Sequence, residues 1–425
     1  MIEYSRLIIG SGKCGVTCLI HYMKVVFSAI ILLYRDIKGV GSIMNKVRIG
    51  IIGLGNIGVK HAEYLFKGKV PGGELTAVCD RNPSHREWAQ ANLGDRVQIF
   101  DSIDKFLDAK VVDGILVAIP HYSHPVVGIQ ALEKGYHVLM EKPVGVYTKH
   151  VRELNTVALK HPALTFSMMY NQRANPIYQK LKDFIESGEL GEIKRTNWII
   201  TNWYRPQSYY DSSSWRATWA GEGGGVLINQ AFHQLDLWQW ICGMPRRVRA
   251  FCSFGKYHQI EVEDDVTAYV EYPNGGTGVF ITSTGEAPGS NRFELSGDRG
   301  KVVVEDGELN FWELQIPERQ FNRECKESFG KPECSKRQIP VEGGDGGHAA
   351  NTANWVDAIL HGTPLFAPGI EGIKALELSN AMYLSAWTDH WVELPMDENA
   401  FYVQLQEKMR TASLKSGLTS TTKSS

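Results

Sequence analysis

Residues 47–58, V-R-I-G-I-I-G-L-G-N-I-G, constrain the fold of this chain more than any other stretch. Val47, Ile49, Ile51 and Ile52 make a short apolar run rich in β-branched residues, which stops at Gly53, Gly55 and Gly58, and a helical pattern begins at Ile57. The spacing predicts a strand, a tight turn and a helix N-terminus. In that geometry Gly53 permits the turn, Gly55 lets a pyrophosphate approach the backbone, and Gly58 lets the helix pack close to the strand. The free N–H groups at the helix start, around Asn56 and Ile57, then receive the phosphates. A second apolar run, 75–79, ends in Asp80, which follows Gly58 by roughly the 20 residues expected of an acid that binds ribose hydroxyls. This combination reads as a dinucleotide site for NAD. Asp80 repels a 2′-phosphate; Arg81 beside it partly offsets that repulsion and leaves NADP open.

After Asp80 strand and helix patterns alternate: a buried-strand run at 111–119, a helix at 126–134, a strand at 136–140 and a helix at 149–160. Such alternation makes a parallel, doubly wound sheet with ligands at the carboxyl ends of its strands. Two of those ends carry chemistry. Pro120, His121 and His124 follow one, and Glu141, Lys142 and Pro143 follow the next. A lysine leaving the sheet at this place can donate to a substrate hydroxyl and stabilise alkoxide character as hydride leaves carbon.

A chain of 425 residues is too long for one ordinary core. The pattern divides it into a dinucleotide-binding domain over 44–166, a second domain over 167–400, and a tail over 401–425 that turns Ser/Thr/Lys-rich after about Gln406 and reads from there as disordered. Net charge of −2 gives no electrostatic reason to expect nucleic acid or an anionic membrane as partner. Seven cysteines, an odd number without regular spacing, do not make a disulfide framework, and Cys14 and Cys18 lack the further ligands a metal would need. Cys325 and Cys334 read as free thiols, and a reducing cytoplasm is the simplest setting.

Residues 1–43 are a separate matter. The apolar run 25–34 is shorter than the roughly 20 residues of a membrane span. It has the length of a signal-peptide core, but no Ala-x-Ala cleavage site follows. The expectation is that the chain proper starts at Met44, with the preceding 43 residues an extension without evolved structure.

In the second domain, runs at 193–203, 247–254, 266–272, 276–284, 292–296, 301–304 and 309–313 alternate at period two between Gly/Pro/Asn turns and read as strands. Between the first two lies a loop with six aromatics, Trp203, Tyr204, Tyr209, Tyr210, Trp215 and Trp219, and two arginines, Arg205 and Arg216. Exposed aromatics need a use: rings that stack on C–H faces, with arginines for hydroxyls or a carboxylate, suit a sugar, and a neighbouring subunit suits them too. Then comes G-E-G-G-G-V-L-I-N-Q-A-F-H-Q-L-D, read as a glycine-rich start followed by a helix that puts Asn229, His233 and Asp236 on one face. His348, after the glycine-rich 343–347, could reach the substrate. Helices are expected at 351–360 and 373–387.

G-L-G-N-I-G with His61 and Ala62 beyond it, the V-A-I-P-H-Y-S-H turn and above all E-K-P resemble the glucose-fructose oxidoreductase / inositol dehydrogenase family, Gfo/Idh/MocA, over about 46–402. The resemblance implies a Rossmann domain followed by an α+β domain with an open, mostly antiparallel sheet, and a homodimer or homotetramer. It also implies D-x-x-x-H-x-x-D, with His233 as acid/base beside Lys142 and Asp236 as a structural acid; Asn229 stands where that motif has its first acid. The cofactor set expected is Gly53, Gly55, Asn56, Ile57, Gly58, Asp80, Arg81, Pro120, His121, His124, Glu141, Lys142 and Arg173. The substrate set is Lys142, Tyr204, Arg205, Trp215, Arg216, Asn229, His233 and His348, with Lys142, His233 and Asn229 catalytic. The expected activity is NAD-dependent oxidation of a secondary hydroxyl of a sugar, sugar derivative or glycoside to a ketone, or the reverse. Two rivals are a redox-assisted glycosidase or lyase that keeps its NAD bound, and a non-catalytic sugar or NAD sensor.

Overall fold

Strand β1 (Val47–Ile52) is buried on both faces apart from Arg48, as a strand at the centre of a parallel sheet must be. In the computed structural model, which describes residues 46–344 and 346–412, it pairs with β2 (Gly73–Cys79) on one side and β4 (Gly114–Val117) on the other. With β3 (Gln98–Phe100), β5 (His137–Met140) and β6 (Phe166–Met168) they form a six-stranded parallel sheet in the order β3-β2-β1-β4-β5-β6. Crossover helices, among them Asn56–Phe66, His124–Glu133 and Thr148–Lys160, complete a doubly wound fold. The strand order reverses between β1 and β4, and a ligand crevice opens at such a switch point.

The second sheet has nine strands. Its centre is β7 (Ile193–Ile200), β8 (Arg247–Phe254), β9 (Glu263–Glu271), β10 (Thr277–Ser283) and β11 (Asn291–Gly297), extended by β12 (Gly300–Glu305), β13 (Glu308–Leu314), β14 (Cys334–Gln338) and β15 (Val392–Glu393). All pairs are antiparallel except β7 with β10. Burial alternates along the strands, so one face is covered and the other open. Trp198 stacks on Phe293 at 4.0 Å between ring centres and Trp238 on Phe280 at 5.3 Å, while Trp238 Nε1 donates to Thr196 Oγ1 at 3.0 Å. Truncating a buried ring of this kind costs about 3–5 kcal/mol.

Several expectations need correction. The glycine-rich segment does not run straight into a helix. Gly223 and Gly224 have φ of +84° and +156°, and the Glu263 carboxylate accepts the N–H groups of Gly225 and Leu227. These hold 225–230 in turns, so the helix is only Phe232–Cys242, and Asn229 precedes it rather than sharing its face with Asp236. The first part of the expected tail is helical, within a helix over Glu398–Thr411. Asp397 caps it by accepting the N–H of Asn399 and Ala400, and Phe401 and Leu405 are fully buried. Residues 413–425, and the extension expected before Met44, lie outside the described residues.

Arg173 was expected at the cofactor and is instead a core residue. Its side chain is fully buried, donates to both oxygens of Asp236 at 2.7 Å and to Glu371 Oε2 at 2.6 Å, and lies over the rings of Tyr170 and Trp240. Removing one partner of such a pair strands the other charge. Arg173→Met is therefore expected to lose about 3–5 kcal/mol in denaturant unfolding, with dinucleotide affinity of the folded variant unchanged.

Candidate active site

At the end of β1 the chain turns through Gly53, whose φ is +98° and where an added Cβ would meet the Ala118 carbonyl oxygen at 2.2 Å. At Gly58 a Cβ would lie 1.9 Å from the Gly53 carbonyl oxygen. Gly55 differs, with nothing within 4 Å of its would-be Cβ. It is the N-cap of the helix Asn56–Phe66, and no side chain caps that end. Gly53 and Gly58 thus close the turn, and Gly55 leaves open space before uncapped N–H groups. Asp80 follows β2 and ties the loop down: Oδ2 accepts from Leu54 N at 2.7 Å and His85 Nδ1 at 2.9 Å, Oδ1 from Asn82 N at 2.8 Å. Burial alone would raise its pKa, but these hydrogen bonds hold it below the ordinary value, so it is a carboxylate. Arg81 is exposed beside it. The residues fit NAD: an anion-binding helix start with room above Gly55, and an acid fixed beside it.

Pro120 leads β4 into a short turn in which His121 and His124 are buried. His121 Nδ1 donates to the Glu222 carbonyl at 2.8 Å and His124 Nδ1 to the Pro143 carbonyl at 2.6 Å. Burial and neighbouring cations hold His121 neutral, at a pKa of about 3. One strand over, Glu141 leaves β5. Its Oε1 bonds His61 Nε2 at 2.7 Å, and Oε2 accepts the Lys142 N–H at 3.1 Å. Burial would raise this carboxyl, yet His61, His348 and Lys142 bring it down to about 2. His61 is braced in turn by Tyr64, whose hydroxyl lies 2.7 Å from Thr352 Oγ1.

Lys142 crosses from the first sheet toward the second. Its Nζ donates to the Asn229 carbonyl oxygen at 2.8 Å and to Asn229 Oδ1 at 3.3 Å. Burial lowers its pKa, Glu141 and Glu222 oppose that, and Arg216 and Arg205 add to it. His233 sits one turn beyond Asn229. Burial and the Lys142 charge bring it to about 3, so it is neutral, and its buried Nδ1 has no hydrogen-bond partner among the described residues. His348 accompanies this cluster, its ring centre 5.5 Å from that of His61 and its Nδ1 3.3 Å from Asn171 Nδ2.

The aromatic loop folds over the same place. The Tyr209 hydroxyl accepts from Arg216 Nη1 at 2.6 Å, Gln230 Nε2 at 3.2 Å and Asn229 Nδ2 at 3.3 Å. Arg216 lies over Tyr209 and Trp215, and Arg205 over Tyr209 and Trp203. The cluster is less exposed than expected: Tyr210 and Trp219 are core residues, while Tyr204 is half exposed. Tyr122 donates to the Trp219 carbonyl at 2.6 Å and so fastens the loop to the end of β4. Lys142, Asn229, His233, His348, Trp215, Arg205 and Arg216 therefore converge; Arg173 does not. The sequence reading missed Glu222, the Tyr209 hub and the His61 brace. The signal for Glu222 was a carboxylate inside a glycine run, where an exposed loop acid would have no reason to be buried.

Residues 47–168 match the description "Oxidoreductase family, NAD-binding Rossmann fold", and residues 178–303 match "GFO/IDH/MocA C-terminal domain". Glucose-6-phosphate 3-dehydrogenase of Bacillus subtilis (strain 168) is 33% identical over 355 residues, covering 78% of this chain and 95% of that protein. The chain belongs to the GFO/IDH/MocA oxidoreductase family. Within the family, MocA, the rhizopine catabolism protein of Rhizobium meliloti, is 27% identical over 212 residues, 49% of this chain and 62% of that protein. Matches to inositol 2-dehydrogenases span 54% of those proteins. Among solved structures, the WlbA dehydrogenase of Chromobacterium violaceum, in complex with NADH and UDP-GlcNAcA, superimposes with a TM-score of 0.71 at 29% identity, covering 83% of this chain and 97% of that one.

The nucleotide loop makes a specific prediction. Gly55→Ala adds a methyl group into space that the protein leaves open, so thermal stability should change little, while NADH affinity measured by titration calorimetry should fall about tenfold or more, roughly 1.4 kcal/mol. Unchanged affinity would mean that the phosphates do not sit there.

Proposed function

We propose that this chain is an NAD-dependent dehydrogenase that oxidises a secondary hydroxyl of a sugar or sugar derivative to a ketone, or runs the reverse. The reading is carried by one observation: Lys142, at the carboxyl end of β5, donates to the Asn229 carbonyl oxygen at 2.8 Å, four residues ahead of a neutral His233. A bound nicotinamide would supply the hydride acceptor, with Gly53 to Gly58 holding its phosphates and Asp80 its ribose. Lys142 binds the hydroxyl oxygen and stabilises the negative charge that grows on it. His233, as a neutral imidazole, accepts the hydroxyl proton, and Asn229 orients the lysine.

The substrate is proposed to be a hexose or glycoside oxidised at the ring 3-hydroxyl. The name of the Bacillus relative supports the position, and its phosphosugar supports an anionic substituent, as does the UDP-sugar held by the WlbA dehydrogenase. Arg205 and Arg216, both within electrostatic reach of Lys142, suit such a substituent. The protein is further proposed to be a cytoplasmic homo-oligomer. Five free cysteines among the described residues fit a reducing compartment, and no helix among those residues is long and apolar enough to cross a membrane. The open face of the second sheet carries Phe251 and Ile199, 60% and 38% exposed, in one cross-strand row with Thr267 and Ile281, a surface suited to a second copy.

A panel of sugars, phosphosugars, nucleotide sugars, inositols and glycosides with NAD and NADP, followed by the absorbance of reduced nicotinamide, tests the reading. Lys142→Ala and His233→Ala should each lower kcat by about 10²–10⁴ while NADH still binds. Near-normal turnover in either variant removes that residue from the mechanism.

A further inference from the structure

Glu222 is 2% exposed, and both its oxygens act as acceptors: Oε1 takes a hydrogen from Asn229 Nδ2 and Oε2 from the Ala217 N–H at 2.6 Å. Arg216 Nη1 lies 3.7 Å from Oε1. Burial pushes this carboxyl up, and the Ala217 N–H, Arg216, the Asn229 amide and Lys142 offset only part of that rise. Asn229 spends the other end of its amide on the lysine, with Oδ1 at 3.3 Å from Nζ. The orientation follows from the two charges: a flipped amide would set its NH₂ against the ammonium and its oxygen against the carboxylate. A hydrogen-bonded chain thus runs from Lys142 Nζ–H to Asn229 Oδ1, and from Asn229 Nδ2–H to Glu222 Oε1. Both ends are charge-assisted, one at the partly buried Lys142 and the other at the buried Glu222.

The charged and titratable groups that act on Lys142 are Glu141, Glu222, Arg216 and Arg205, with His233, His121, His124 and His348 close enough to feel its charge. Glu141 is committed to His61 and to the Lys142 backbone N–H. The two arginines oppose the lysine's charge, and Glu222 is the carboxylate connected to it through a side chain. We propose that Glu222 is the positioning counter-ion of Lys142: acting through the Asn229 amide, it keeps the lysine protonated and fixes where its hydrogens point. The consequence for catalysis rests on the dehydrogenase reading; the ionisation of Lys142 does not.

The test reads that ionisation directly, by trace acetylation of Lys142 across a pH series with peptide mass spectrometry, in parallel with the pH profile of kcat/KM. Glu222→Gln should move the Lys142 midpoint down by about one unit or more, a tenfold change in proton affinity, and bring the basic limb of kcat/KM down with it. Combining Glu222→Gln with Asn229→Asp exchanges amide and carboxylate at nearly constant volume and sets the charge beside Nζ. This exchange should return the midpoint to the wild-type value or above, and restore turnover that the single variant lost. A wild-type midpoint in Glu222→Gln overturns the proposal. Should that variant fail to fold, as judged by thermal unfolding, the exchange variant decides alone, and a Lys142 midpoint below wild type overturns the proposal. If the midpoints move as stated but wild type oxidises no sugar, the dehydrogenase reading falls by itself; turnover with unmoved midpoints sinks only the role of Glu222.

Discussion

The contact on which the rest of the site depends is the one between the Lys142 ammonium and Asn229. An ammonium partly withdrawn from solvent is costly unless oxygen acceptors replace the water it loses. Here those acceptors, Asn229 O and Oδ1, come from a segment held by the second sheet, while the lysine leaves the first. Neither half builds the site alone. The fastening is polar and local: Tyr122 to the Trp219 carbonyl and His121 to the Glu222 carbonyl tie the turn after β4 to the loop that covers it. The core supports it, since one apolar cluster continues from Met140 and Val144 beside β5 to Phe232 and Trp238 of the second half.

Around that contact the charges are arranged in advance. Glu141 is held as a carboxylate by His61, Glu222 accepts from Asn229 and the Ala217 backbone, and Arg216 is oriented by Tyr209 and Trp215. His233 is kept neutral by burial and by the lysine. In the proposed reaction, a neutral imidazole and a hydrogen-bonded ammonium would favour an alkoxide-like oxygen without moving any dipole at the moment of reaction. The same low-dielectric surroundings make each of these groups sensitive to loss of its partner.

Much of the first sheet was legible because its signals are local. G-L-G-N-I-G fixes a turn whose glycines are required by backbone contacts of 2.2 and 1.9 Å, and strands buried on both faces read as continuous apolar runs. Lys142 was legible by position, at a strand's carboxyl end. What failed depended on contacts distant in sequence. Asn229 left its expected helical face because Glu263, on another strand, takes the N–H groups of Gly225 and Leu227. Arg173 became a core residue through Asp236 and Glu371. The helix Glu398–Thr411 was hidden by polar composition, although Phe401 and Leu405 stand four residues apart on its buried side. Strand β14, exposed at every residue, carries no apolar alternation from which it could be read.

A crystal structure of the protein with NADH and a sugar substrate tests the central claim most directly. The account predicts nicotinamide C4 and the carbinol carbon roughly 3–3.5 Å apart, with the carbinol oxygen in hydrogen-bond reach of both Lys142 Nζ and the His233 ring. A nicotinamide seated away from the carboxyl end of β5, or a carbinol oxygen that faces neither side chain, would contradict it.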